Sequence, residues 1–154
     1  MALGFSFTVA LDSQQAQRRL SQLGVHLEPG RILNLIGAKF LWWVDQNFRR
    51  EGYEKPWTPL APSTIKHRGI GAKILQDNGV LKRSFVKNVN LGAKTVVVGT
   101  EDWRAAWHHL GTSRGLPSRP LLPSQPLAQQ LAFESLEGYV RQMVQRATPQ
   151  SETG

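Results

Sequence analysis

The chain has 154 residues with 19 Lys and Arg against 11 Asp and Glu, a formal charge of +8, and no cysteine. That length suits one domain that buries roughly two-thirds of its unfolded surface, and the lack of cysteine excludes disulfides, thiolate chemistry and Cys-type zinc sites. No stretch reaches the roughly 20 apolar residues of a membrane span, and Met1 to Phe5 has neither the basic nor the apolar part of a leader, so the sequence predicts a soluble, unexported protein.

Phe5, Phe7, Val9 and Leu11 alternate with small or polar residues, the period of a half-buried strand. Asp12 or Ser13 then caps a short helix through about Leu23, with Ala16, Leu20 and Leu23 inward and Gly24 as its stop. Pro29-Gly30 opens the strongest helical segment, from about Arg31 to Glu51. Ile32, Ile36, Phe40, Val44 and Phe48 form its core stripe, and Gly52 ends it. A second apolar strip of Leu35, Ala38 and Trp42, bounded by Arg31 and Arg49, implies packing on two sides. Either the C-terminal helix or a neighbouring subunit takes one of them.

From Tyr53 to Gly79 both periodicities are lost. The segment reads as a long loop with one helical turn at Ser63 to Arg68, capped by Ser63, and with Trp57 anchoring the loop to the body. A turn from Leu81 to Ser84 leads to a hairpin of Phe85 to Leu91 and Lys94 to Gly99, joined near Gly92. The run Thr95-Val96-Val97-Val98 predicts a central strand buried on both faces. Glu101 and Asp102 favour the start of a short helix through Leu110, stopped by Gly111. Thr112 to Ser118 is a second exposed loop, and Arg119 to Pro123 is extended, at a sheet edge. A last helix runs from Ser124–Pro126 to about Ala147 with Leu127, Leu131, Ser135, Leu136, Tyr139, Val140 and Met143 on its apolar side. The fold class is therefore α+β: a small antiparallel sheet against a long helix and a C-terminal helix, with two long loops that order on assembly. Residues 1–147 make the single domain and 148–154 a disordered polar tail.

Charge is unevenly placed. Lys55 to Thr100 carries eight basic residues against Asp77 alone, whereas the rest of the chain is nearly balanced. Such a middle segment faces DNA phosphates or an acidic partner, or is simply a solvated face. No catalytic constellation accompanies it. His108 and His109 are adjacent, so they point about 100° apart and cannot chelate one metal. His108 reads as a structural hydrogen-bonding group near a helix end whose dipole favours its protonation. Gly69-Ile70-Gly71-Ala72-Lys73 lacks the spacing of a phosphate loop and reads as a basic tip. The sequence thus predicts no enzyme, no metal and no cofactor.

Five short signatures stand out in order: Trp57-Thr58-Pro59-Leu60, Leu75 to Leu81 (Leu-Gln-Asp-Asn-Gly-Val-Leu), Val96 to Thr100, His108-His109-Leu110-Gly111, and Arg119-Pro120-Leu121-Leu122. From about Trp42 to Leu122 they resemble the phage virion morphogenesis, or tail completion, family of Mu-like and related tailed phages. Asn78 stands where that family has Thr, Arg104 where it has an aromatic residue, and Leu121 where it has Phe. The resemblance implies a virion structural protein at the head-tail junction, made in the host cytoplasm. It would form a homo-oligomeric ring, commonly of six, that docks to head connector and tail tube proteins.

A ring has heterologous contacts, so each subunit offers two different surfaces. Residues expected at subunit or partner interfaces are Leu35, Trp42, Trp57, Leu60 and Ile65, with the basic Lys66, Arg68, Lys73, Arg114 and Arg119. Lys66, Arg68, Lys73, Lys82 and Arg83 would face enclosed double-stranded DNA, contacted without sequence readout, or an acidic partner. Gly79, Leu81, Gly99, His108, Gly111 and Pro120 would be structural anchors. The alternatives are a basic DNA-binding module acting during packaging and, less consistent with the residues, a hydrolase.

Overall fold

Strand β1 (Phe5–Ala10) turns Phe5, Phe7 and Val9 inward and leaves Ser6, Thr8 and Ala10 exposed, as its alternation dictates. In the computed structural model, which describes residues 4–12, 14–22 and 24–148, β1 pairs antiparallel with β3 (Thr95–Thr100). On its other side β3 pairs with β2 (Val86–Asn90), giving the order β1-β3-β2. Register sets Phe5 opposite Thr100, Phe7 opposite Val98 and Val9 opposite Val96. These residues form the inner face. The expectation that the valine run is covered on both faces is corrected here: Val96 and Val98 are buried, but Val97 lies on an outer face beside exposed Thr8 and Asn88.

Helix α1 (Gln14–Ser21) follows β1, with Leu20 half-buried. Ser13 and Leu23, expected as its cap and last inward residue, and the Ala16 side chain lie outside the described residues, as do positions 149–154 of the tail. Helix α2 (Pro29–Arg49) starts two residues before its predicted first position, because proline at the first helical position supplies helical φ where an amide donor would be unused. Its stripe of Ile32, Ile36, Phe40, Val44 and Phe48 is wholly buried, with Trp43 beside it. At about 1.5–3 kcal/mol per buried side chain, this stripe contributes strongly to the core.

Helix α2 crosses the inner face of the sheet and α6 (Gln125–Ala147) packs along it. Leu131 and Tyr139 are buried on α6, with Leu127, Leu136, Val140 and Met143 partly so, which matches the apolar side read from the sequence. The strip Leu35–Ala38–Trp42 is covered by neither neighbour; Trp42 only meets the edge of Tyr53 and lies under the Lys39 ammonium.

The segment from Tyr53 to Gly79 holds helix α3 (Pro62–Arg68). Ala61 precedes it and no side chain caps it, so Ser63 is not the cap: proline already opens the helix one residue earlier. The loop is fixed to the body within the single chain. The Trp57 amide donates to the Glu51 carbonyl, the Glu51 carboxylate accepts from the Ile74 amide, and the Gln76 side chain donates to the Phe48 carbonyl. Helix α4 (Val80–Arg83) replaces the expected turn and places Leu81 in the core. The 112–118 loop is likewise closed on itself by the Thr112 amide on the Leu116 carbonyl and the Ser118 hydroxyl on the His109 carbonyl. Both loops are thus tied by hydrogen bonds within one subunit.

Candidate functional site

The five signatures, scattered over 66 positions from Trp57 to Leu122, come together in space. At the centre is the Pro120 carbonyl, which accepts both the Asn47 amide side chain at 2.8 Å and the Trp57 indole N–H at 3.0 Å. Asn47 is fully buried on α2, and its oxygen accepts the Tyr53 amide at 2.7 Å. One side chain thereby joins the long helix, the turn after it and the proline segment. The extended path from Arg119 to Pro123 is thus no sheet edge. Its carbonyl is taken by Asn47 and Trp57, and its amides donate to the His108 carbonyl and to His109 Nδ1.

Arg119, expected at an interface, is only 5% exposed. Its Nε and Nη2 donate to the Thr58 and Pro59 carbonyls at 2.9 and 3.0 Å, clamping the first signature. Trp57 is buried as well, with its ring edge-on to Phe48. Both are interior anchors of the subunit, because each reaches backbone acceptors far away in sequence. The second and third signatures are tied by a directed chain of hydroxyls. Ser84 donates to the Leu81 carbonyl, so Thr100 donates to Ser84 at 2.6 Å and itself accepts from the Asp102 amide. Asp102 then accepts the Arg104 amide at the start of helix α5 (Arg104–Leu110) and grips the Arg104 guanidinium with both oxygens.

Two anchors owe their identity to close approach. A Cβ on Gly99 would fall on the Phe5 carbonyl oxygen and within 2.5 Å of the Ser6 Cβ. One on Gly111 would lie 2.8 Å from the Leu116 oxygen and the Ser118 nitrogen. Gly79 turns the chain into α4, and Pro120 supplies the shared carbonyl.

The histidines divide their roles differently from the expectation. His109, not His108, makes the structural hydrogen bond: its Nδ1 accepts the Leu121 amide at 3.0 Å while its ring packs on Phe5. Burial holds its pKa below the ordinary histidine range. His108 is also pushed down, first by burial and then by Arg119 and Arg104, so the helix end does not protonate it; its buried Nδ1 has no hydrogen-bond partner. Because both folded values lie below the unfolded one of about 6.5, the neutral rings favour the fold above that pH and the benefit is lost as pH falls through the folded values. Acidification from pH 7.5 to 5.5 is expected to lower the thermal midpoint. His109→Gln, which keeps an acceptor for Leu121 but cannot titrate, should flatten that slope.

The other expected site residues are dispersed. Ile65, Lys66, Lys73 and Arg114 are exposed and Leu60 is half-buried. Arg68 pairs with Asp77 at 3.1 Å, Lys82 with Asp45 at 3.0 Å, and Arg83 donates to the Asn78 carbonyl. Much of the basic middle is therefore committed within the subunit. An exposed apolar face lies elsewhere, on α5 and the residue before it. Trp103, Trp107 and Leu110 are 63%, 55% and 74% exposed, and the two indoles sit edge to face at 4.5 Å. Their i, i+4, i+7 spacing opposite buried Ala105 was the sequence signal for it.

No curated protein and no solved structure significantly matches the chain. The family model described as the phage virion morphogenesis family matches residues 11–142. With the five signatures converging on one interior hub inside that span, the chain belongs to the phage virion morphogenesis family.

Proposed function

We propose that this protein is a non-catalytic structural component of the phage head-tail junction, acting as a ring of identical subunits that docks to the connector on one side and the tail tube on the other. The observation that carries this reading is the bare aromatic face of α5. A monomer seldom leaves two indoles and a leucine contiguous and uncovered, and such patches mark protein contacts. The Leu35–Trp42 strip on α2 supplies a second apolar surface at a different place on the subunit. Two unlike surfaces on one subunit are what a heterologous, closing contact requires. A DNA-binding reading gains less: three of the five basic residues expected to face DNA are engaged inside the subunit, and α3, which carries Lys66 and Arg68, is only seven residues long.

Phage lacking the protein should accumulate filled heads and tails that fail to join; normal infectious particles would contradict the proposal. In vitro, the wild-type chain should sediment as a closed oligomer. The double variant Trp103→Ser, Trp107→Ser should stay monomeric with an unchanged circular dichroism spectrum. At about 2 kcal/mol for each interfacial tryptophan, subunit affinity should fall roughly a thousandfold.

A further inference from the structure

A cavity of about 300 Å³ lies above the hub, bounded by α3, α4, α5 and the chain leading to Arg119. Three guanidinium groups line it, those of Arg68, Arg104 and Arg119, and all three are held alike. In each, Nε and Nη2 engage groups of the same subunit: Arg68 Nε ion-pairs with Asp77 while its Nη2 donates to the Lys73 carbonyl, Arg104 donates to the Asp102 carboxylate, and Arg119 donates to two loop carbonyls. Among the described residues Nη1 takes no acceptor in any of them, and none of these Nη1 atoms is a buried, unpartnered atom. Each Nη1 therefore keeps some access to solvent, and the three arginines line one cavity together with Asp77. Among the described residues Arg119 also has no acidic partner within ion-pair distance although it is nine-tenths buried, and a buried cation is costly without a counter-charge. The unpartnered Nδ1 of His108 belongs to the same cavity lining.

We infer that this cavity is a binding site for a carboxylate, the side chain of a glutamate or aspartate presented by another protein subunit. Preorganised guanidinium edges match the planar, two-oxygen geometry of a carboxylate. Leu60, Leu75, Leu81 and Leu116 supply apolar walls for the aliphatic stem of such a side chain. Duplex DNA fits less well, since it presents phosphates on a convex surface and is met by protruding cations, whereas Arg119 is recessed. The cavity is complete in one subunit, so the inference goes beyond ring assembly and fails or stands separately from it.

The test is an NMR titration of the isotope-labelled full chain with N-acetylglutamate methylamide, against the corresponding glutamine compound. Saturable shifts confined to Arg68, Arg104, His108, Leu116 and Arg119 are expected, with a rise in the His108 pKa as the anion enters. Arg104→Gln, whose partly exposed side chain lies outside the core, should weaken the probe at least fivefold while leaving the fold intact. Arg119→Lys tests the fork geometry if it remains folded. Equal shifts with the glutamine compound, shifts scattered over surface lysines, or unchanged affinity in Arg104→Gln would overturn the inference. So would tighter binding of a short duplex oligonucleotide at the same residues, which would reassign the cavity to phosphate. The source of the carboxylate is read by sedimentation at saturating probe: a smaller assembly identifies a second copy of this chain, and an unchanged one a different virion protein.

Discussion

Gly99→Ala is expected to destabilise the subunit by at least about 3 kcal/mol and to lower its thermal midpoint by roughly 6–12 °C. The added methyl would meet the Phe5 carbonyl oxygen and the Ser6 Cα at 2.6 Å. Both belong to the facing stretch of β1, and backbone atoms cannot swing aside as a flexible side chain can. Relief requires β1 to move off β3, which would lift Phe5 from His109 and Phe7 from Phe40. Two other glycines provide internal controls. Gly92→Ala meets nothing nearer than the Asn90 side chain at 3.5 Å and should be nearly silent. Gly138→Ala, in the interior of α6 with open space around it, should stabilise by about 0.5–1 kcal/mol. Thermal melts of the three variants read the contrast directly. A Gly99→Ala protein as stable as Gly92→Ala would mean that the β1–β3 register is not the one described.

Asn47→Ala should cost about 2–4 kcal/mol in chemical unfolding. It strands the part-buried Tyr53 amide and removes one of the two donors on the Pro120 carbonyl. Trp57→Phe removes the other donor while keeping most of the ring packing on Phe48, and alone should cost less. The informative quantity is the pair. With either donor present the Pro120 oxygen stays satisfied within the subunit, but with both gone it loses both of its side-chain donors. The double variant should therefore exceed the sum of the singles by about 1 kcal/mol or more. Strict additivity would show that the carbonyl is not a shared acceptor.

Much of this fold was legible because its elements advertise themselves locally. The i, i+4 stripe of α2 and the alternation in β1 each repeat a pattern over several turns or pleats, and their burial followed; the valine run announced strand β3 but not its open outer face. What escaped the sequence was long-range polar satisfaction. Asn47 sits on the inward side of α2 between Val44 and Phe48, a polar residue in a core position, yet nothing local identifies an acceptor 73 positions away. Arg119 carries the default expectation of exposure, and its burial depends on carbonyls 60 and 61 positions earlier. The aromatic face of α5 was missed for the opposite reason. Tryptophan is expected inside, but this seven-residue helix packs through the small Ala105, which leaves no room beneath it for an indole.

The pairing of Phe5 with Thr100 also governs how a newborn chain must behave. The first strand leaves the ribosome with no docking place, since the strand between its edge and the rest of the sheet is translated roughly 5–20 s later. Through that interval Phe5, Phe7 and Val9 form an uncharged, β-prone tract free to stick to a neighbouring nascent copy. A polar replacement on the solvent side of that tract, such as Thr8→Lys, should therefore raise the yield of soluble protein during rapid synthesis without altering the finished subunit.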